Sequence, residues 1–530
     1  METVALPAPT RGMRVTDAFM SMDASECVYA YNIGVTEYGF RVRPGYREQS
    51  NTTLGDEVWT LIPYIDSSDA VGGGKLFAAT SDGIYDVTTR SATSTKKFDF
   101  TTKSGSAGYG VSAHFVNVNG DSFLYYADEE NGLLGYTAGT DTWAAPSGFT
   151  FPVGDTRTVA DLIYVKQHKL RLWFIPKGGQ HAYYLPIGAV SGQLTRFDFG
   201  NKFSSGGALA AIYTWSVDGG SGIDDIFIAI SSQGEVAFYK GADPSTIDTW
   251  DTVGTWIIGA PPAGRRIGVE ASGDFLFLTA YGIISATALL RGTSAGEQSR
   301  NLSNTGLLRM IRARLTETGE FIELGWEIFY NPLEGSVFVL SPTNVQYVKN
   351  VASEGWYIWR DVDMRSVALW NNEAYFGDST KGVWFIREGH DSIRIDNTGA
   401  EDIDFSFMTS YSDLGVPTAM KRVGFLNPHF RTKNYVAYET RVLYDFEVEE
   451  ALVPVCTPPP SLVDGSLWDS AVWDSSVWGA GLAGSGAKVV EGVLGGAGVG
   501  RRVAIAVRGC AYDRAALIVM DAGFTVGGVL

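Results

Sequence analysis

The sequence predicts an all-β protein, and three observations carry that reading. Short aromatic and β-branched runs alternate with Gly, Asp, Asn or Ser turns along most of the chain, as in "DDIFIAISSQGEVAFYKG" and "GDFLFLTAYGIISATAL". Each such run reads as a strand, a turn and a second strand. Glycine accounts for 63 of the 530 residues, well above the roughly 7% average and without a triplet period, which fits many tight turns. Helical periodicity is scarce: "TGLLRMIRARL" (305–315) has the best claim to it and passes equally as a strand.

Taken in order, the chain opens with "VYAYNIGVTEYGFRV", rich in Tyr, Val, Ile and Phe, which suits strands. "RPGY" follows at Arg43 to Tyr46. Pro44 presets φ for a turn there, and Gly45 supplies a positive φ at the second central position. Hairpin turns then fall near Gly83, Gly132, Gly178, Gly234, Gly282, Asn344 and Gly382. A loose repeat of several strands, with a period of roughly 50 residues, predicts a β-propeller of about six or seven blades. Trp143, Trp250 and Trp359 close several of the hairpins. They are expected to pack between neighbouring blades, because one twisted sheet cannot bury both its faces alone.

From about Asp402 the strands lengthen and alternate, as in "YVAYETRVLYDFEVE". Pro458, Pro459 and Pro460 make a stiff break. Trp468, Trp473 and Trp478 then recur every five residues, a spacing that matches neither helix nor strand. They are expected to anchor an irregular loop. A final β segment closes the chain. The expected division is an N-terminal arm with the first strands at 1–55, a propeller at 56–400, and an additional C-terminal β domain at 401–530.

The formal charge is −18, from 59 acidic and 41 basic residues. That balance argues against wrapping nucleic acid by phosphate neutralisation. The one sizeable basic cluster, Arg309, Arg312 and Arg314, is too small for a DNA groove. Three distant cysteines, Cys27, Cys456 and Cys510, make no CxxC or disulfide framework, so a reducing compartment is expected. "METVALPAPTRG" has no basic start before an apolar run and does not read as a signal peptide. No apolar stretch reaches the roughly 18 to 20 residues of a membrane helix, so no stable membrane insertion is expected.

No catalytic constellation stands out. His114, His168, His181, His390 and His429 have no second ligand at metal spacing. GxSxG, P-loop and Rossmann patterns are absent. "SIDTWD" and "YADEEN" could be imagined as acid/base pairs, but with 59 carboxylates such coincidences are expected. "TSDGIYDV" and "WSVDGGSG" are only fragments of a sialidase Asp-box, and "DEENGLLG" and "DGGSGIDD" lack the terminal Glu of an EF-hand. The expectation is a non-enzyme with no catalytic, cofactor-binding or metal-binding residues and no cofactor.

The opening "LPAPTRGMRVTDAFMSMDASECVYAYNIGVTEYGFRVRPGYRE" resembles the start of the β-propeller tail proteins of short-tailed bacteriophages, the nozzle or tail-tube-B-like group. The matching positions are Pro9, Gly12, Asp17, Met22, Asn32 and Arg43 to Tyr46. "DLGVPTAMKRVGFLNPHF", the Trp-rich linker and the terminal "GRRVAIAVRG…FTVGGVL" resemble the far end of the same proteins. One departure is "YAYN" in place of the usual Asp-Asn or Leu-Asp-Asn phrase. The resemblance implies a structural virion protein, assembled in the host cytoplasm into the distal nozzle of a phage tail. It implies a homohexameric ring beneath the tail adaptor protein, near tail fibres or spike, around the channel that retains double-stranded DNA and conducts it at ejection. Six chains would carry −108 formally, six times −18, and a wall of that sign would let the duplex slide without sticking. No residue is assigned to the channel or its gate. The alternative is a propeller module that binds a host receptor or glycan.

Overall fold

The computed structural model of the chain describes residues 1–15, 18–36, 39–50, 54–65, 74–117, 119–216, 225–246, 249–300, 310–311, 314, 323–432, 436–448, 488–490, 494–495, 498–512 and 515–527. Asp17, Arg309, Arg312, Cys456, the three prolines at 458–460 and the three Trp of the linker lie outside these residues. The protein is all-β, with 53% strand and 4% helix, arranged as many small open sheets. It divides into two compact units, one of residues 1–47, 348–360 and 387–530, the other of residues 48–347 and 361–386. The N-terminal arm and the C-terminal segment therefore fold into the same unit.

The larger unit is a succession of antiparallel sheets, numbered I to VII in chain order. Sheet I holds Val58–Tyr64, Lys75–Thr80, Gly83–Asp86 and Thr95–Asp99. Sheet II holds Gly110–Val116, Ser122–Asp128, Gly132–Thr137 and Thr142–Ala144. Sheet III holds Leu162–His168, Arg171–Pro176, His181–Tyr184 and Thr195–Asp198. Sheet IV holds Leu209–Trp215, Ile226–Ser231, Glu235–Gly241 and Trp250–Ile257. Sheet V has three strands, Gly268–Ala271, Asp274–Thr279 and Gly282–Ser285, followed by the short helix Ala286–Leu290. In this unit sheet VI contributes the hairpin of Glu327–Asn331 and Ser336–Leu340. Sheet VII holds Ser366–Trp370, Glu373–Gly377 and Val383–Arg387. Its fourth strand comes from much earlier in the chain, the stretch that includes Glu48–Ser50.

The seven predicted turns all fall between the second and third strands of successive sheets, the third strand after Asn344 being Val345–Asn350. Side-chain patterns follow position in the sheet. Ile226–Ser231 is buried throughout because both its faces are covered, whereas the outer strand Trp250–Ile257 alternates buried or half-buried with exposed. Acidic residues at the turns are consumed locally. Asp128 accepts from the amides of Gly108 and Glu130 at 3.1 and 2.9 Å, and Asp378 from Thr380 N at 2.9 Å and Trp384 Nε1 at 2.7 Å. These carboxylates, "YADEEN" among them, hold turns. Gly132 (φ +71°) shows why glycine recurs here: a Cβ would sit 2.4 Å from Ala160 O.

Apolar layers join sheets I to V in sequence. Ile62 and Phe77 of sheet I, with Phe100 just after it, pack on Leu124, Tyr126 and Trp143 of sheet II, and Trp143 meets Phe77 edge-on at 5.3 Å. Ala113 and Leu133 pack on Val165 and Phe174. Trp173 of sheet III meets Phe227 and Trp250 of sheet IV at 4.6 and 6.0 Å. Phe238 of sheet IV faces Phe277 of sheet V at 6.2 Å. Sheet VII returns to sheet I, with Trp370, Tyr375 and Phe385 in one core with Val58, Leu61 and Leu76. Ser366 Oγ also donates to Val58 O at 3.0 Å. Trp143 and Trp250 thus pack between sheets, as their place after the hairpins predicted.

The smaller unit interleaves both ends of the chain. The long strand Ala515–Val526 pairs with Lys421–Thr432 on one side, Lys421 opposite Val526, and with Glu2–Pro7, Glu2 opposite Phe524. A second sheet runs Trp356–Arg360, Cys27–Tyr31, Ile403–Thr409, Val503–Ala511 and Val436–Tyr444. The two sheets meet through Phe40 on Phe407 at 5.1 Å and Phe430 on Phe405 at 5.9 Å.

The "RPGY" stretch is not the turn expected of it. Gly45 begins the strand Gly45–Ser50 and is absent from the positive-φ positions. Glycine is needed for a different reason: a Cβ there would lie 2.1 Å from His390 O. Arg43 is buried and forks onto Asp391 through both terminal nitrogens, at 2.7 and 2.5 Å. Its Nε donates to Asn32 Oδ1 at 3.1 Å, its guanidinium lies 5.7 Å from the Trp359 ring, and Asn32 Nδ2 donates to Asp404 O at 2.9 Å. Trp359 therefore serves this node. Cys27 is a buried free thiol, but Cys510 is disulfide-bonded, with its partner outside the described residues. That corrects the expectation that the chain carries no disulfide.

Candidate functional site

In the larger unit the first strands of the sheets present two contrasting ends. Near their N-terminal ends, long side chains connect sheets that are not neighbours. Arg266, just before sheet V, donates through Nη2 to Trp59 O of sheet I at 2.8 Å. The same guanidinium lies 4.0 Å from the ring centre of Tyr109 and contacts Glu327 of sheet VI at 2.8 Å. Tyr109 OH donates to Trp326 O at 2.9 Å. Arg265 donates to Ala210 O of sheet IV at 2.6 Å and pairs with Glu129 of sheet II at 2.7 Å. Gly264 (φ +101°) makes room for this, since a Cβ would stand 2.5 Å from Tyr109 Cε1. Burial pushes the Glu327 carboxyl up to about 7, with Arg266 pulling the other way.

At the C-terminal ends lies a cleft of about 780 Å³, open on one side. The first strands of sheets II, III and IV supply His114, Lys166 with His168, and Thr214. Thr214 Oγ1 donates its one proton to Gln167 O at 3.1 Å. The contact between His168 Nδ1 and Thr214 Oγ1, also 3.1 Å, must then have the histidine as donor. This assigns the tautomer with Nε2 unprotonated, and that atom is buried without a partner among the described residues. Burial, then the nearby Lys169 charge, holds the His168 imidazolium down to about 3, so the ring is neutral.

Lys166 is the cleft's distinctive group. Its ammonium sits 5.9 Å from the Tyr213 ring centre and makes no hydrogen bond among the described residues. Burial lowers its pKa, and the one opposing charge that acts on it is Glu270 of sheet V. Lys169, by contrast, is spent on Gly241 O at 2.8 Å. At the rim, Asp225 accepts from Ser216 Oγ at 2.7 Å. The two-residue turn between His168 and Arg171 places Lys169 and Leu170 at φ +43° and +57°. Such turns favour Asn and Gly, and sheet VII uses Asn371 and Asn372 in the same role. Strain of this kind concentrates at functional sites.

The sequence points to no site residue, and His114 and His168 have no second ligand at metal spacing. The structure brings both to one cleft. Among the described residues no group of three or more His, Cys, Asp or Glu could hold a metal ion. His390 lies 3.3 Å from Asp402, and His429 pairs with Asp521 at 2.9 Å, both in the smaller unit. His181 is buried in sheet III.

No protein-family model and no curated protein matches the chain. Among solved structures it is similar to the computationally designed Ika8 protein, at 7% identity and a TM-score of 0.33, over 64% of this chain and 99% of that one. It is also similar to the extracellular domain of a hybrid two component system from B. thetaiotaomicron, at 12% identity and a TM-score of 0.41, over 81% of this chain and 56% of the other.

Proposed function

We propose that the larger unit is a seven-bladed β-propeller and that the chain is the nozzle protein of a short-tailed bacteriophage. The propeller reading is supported by the order of the sheets and by the return of sheet VII to sheet I. It is supported too by the fourth strand that Glu48–Ser50 brings to the last sheet, a way of completing such a fold without a free edge.

The observation that carries the nozzle reading is where the family-like residues lie. Asn32 and Arg43 share one buried node with Asp391. The segments around 421–430 and 515–526 are partner strands, with the N-terminal Glu2–Pro7 beside them. Stretches that stand apart in sequence and carry the resemblance are thus one folded unit, as a module kept for assembly would be. On this reading six chains form a homohexamer under the tail adaptor in the virion, contact fibres or spike, and let double-stranded DNA pass without binding it.

Mass photometry of the purified chain, alone and with the adaptor, tests this. A species of six times the 57.3 kDa chain mass, with a central hole in negative stain, supports the nozzle. Failure to form a ring in both conditions removes it. The cleft favours a second reading, a propeller module for a host receptor or glycan, which a glycan array would separate from the first.

A further inference from the structure

We infer that the cleft across the first strands of sheets II to IV binds an acidic saccharide, with Lys166 receiving its carboxylate. This rests on the ligand-binding reading and is independent of whether the chain forms a nozzle.

The volume, about 780 Å³, lies within the roughly 300–1,000 Å³ of small-molecule sites and accommodates a sugar of one to a few residues. Its chemistry is selective. Lys166 is a partly buried cation that lacks a hydrogen-bond acceptor among the described residues, a costly state that an anion would relieve. The other cation on the wall, Lys169, already has the Gly241 carbonyl, so one anionic group is wanted rather than several. Around it stand groups with hydrogen-bonding capacity to spare. Ser112 and Gln167 are among the residues that line the cleft, and their side chains make no hydrogen bonds among the described residues. Asp225 keeps one carboxylate oxygen after binding Ser216. A bare inorganic anion would use Lys166, meet Asp225 as a like charge and leave these hydrogen-bonding groups idle. A carboxylated sugar gives its carboxylate to Lys166 and its hydroxyls to Gln167, Ser112 and Asp225. The strained Lys169–Leu170 turn holds the end of the Lys166 strand at the mouth of the cleft.

The test is saturation-transfer NMR and calorimetry on the full chain with potassium glucuronate, glucose and potassium acetate as probes. Glucuronate is expected to bind about tenfold more tightly than either of the others. Lys166→Met should abolish that margin over glucose. The Ser112→Ala/Gln167→Ala double variant, which leaves the buried lysine in place, should abolish the margin over acetate. Both variants are checked by thermal unfolding, and the double variant decides the matter if Lys166→Met fails to fold. Glucose binding as well as glucuronate would overturn the acidic-ligand inference while sparing the ligand-binding reading. If none of the three probes binds, both fall. Glucuronate affinity unchanged in both variants would overturn the assignment to this cleft.

Discussion

The two ends of the same first strands solve the same problem in opposite ways. Where they begin, Arg265, Arg266, Tyr109 and Glu327 reach across to distant sheets, and nearly every long polar group finds a carbonyl, a ring or a counter-charge. Where they finish, Lys166 lines open space without a hydrogen-bond partner among the described residues, and His168 Nε2 is buried nearby without one. A series of sheets built from equivalent strands does not dictate at which end side chains bridge them. The choice is made by a few long side chains placed at the starts of sheets II, V and VI. The comparison teaches that bridging between sheets here is a side-chain property laid over a succession of similar sheets.

That contrast can be broken most forcefully at Arg266. Arg266→Met leaves Glu327 buried without its cation and removes a hydrogen bond to Trp59 O, so unfolding in denaturant should show a loss of about 3–5 kcal/mol. Next in size is an opposition in pH. Glu327 titrates near 7 when folded, so between its ordinary value and 7 the folded state holds a proton that the unfolded state has released, and stability falls as pH rises through that window. His168 does the reverse. Held down to about 3, it stays neutral while the unfolded ring protonates, so stability falls as pH drops below its ordinary 6.5. Each slope should approach one proton, about 1.4 kcal/mol per pH unit. Glu327→Gln should unmask the histidine slope and His168→Gln the glutamate slope, read from unfolding midpoints between pH 4.5 and 6.5.

Two smaller effects sharpen the comparison. Tyr109→Phe removes the bond to Trp326 O and should cost about 1–2 kcal/mol, since a buried carbonyl loses its donor. At the open end, Leu170→Gly should stabilise by about 1 kcal/mol, because glycine tolerates the left-handed backbone that leucine resists. A destabilised Leu170→Gly protein would show that packing outweighs strain at the cleft mouth.

Much of the fold was legible because it is written in local chemistry. Seven turns announced themselves by glycine or asparagine between apolar runs, and each lies between the second and third strands of a sheet. Asn32 and Arg43 were singled out by resemblance, and their buried node gives the physical reason. Gly45 was misread because a turn signal and a close backbone approach look identical in sequence: both simply require the absence of a Cβ. The closed end was illegible, since "AGRRIG" gives no hint that its arginines face Trp59, Ala210 and Glu327. The cleft did leave a trace. His114, Lys166 and Thr214 recur with the same period as the hairpin turns, so reading polar residues in phase with the repeat would have gathered them.

Sheet VII also sets an order of events on the ribosome. Glu48–Ser50 is made early, yet the strand beside it, Val383–Arg387, follows only after sheets I to VI have been synthesised. At about 5–20 residues per second that interval is roughly 20–70 s. Throughout it the early strand has no sheet to join, while sheets I to VI become available as alternative partners. Completion of the unit is therefore a late event that waits on its own beginning, and a nascent chain stalled before residue 383 would display one unmatched strand and one unfinished sheet edge.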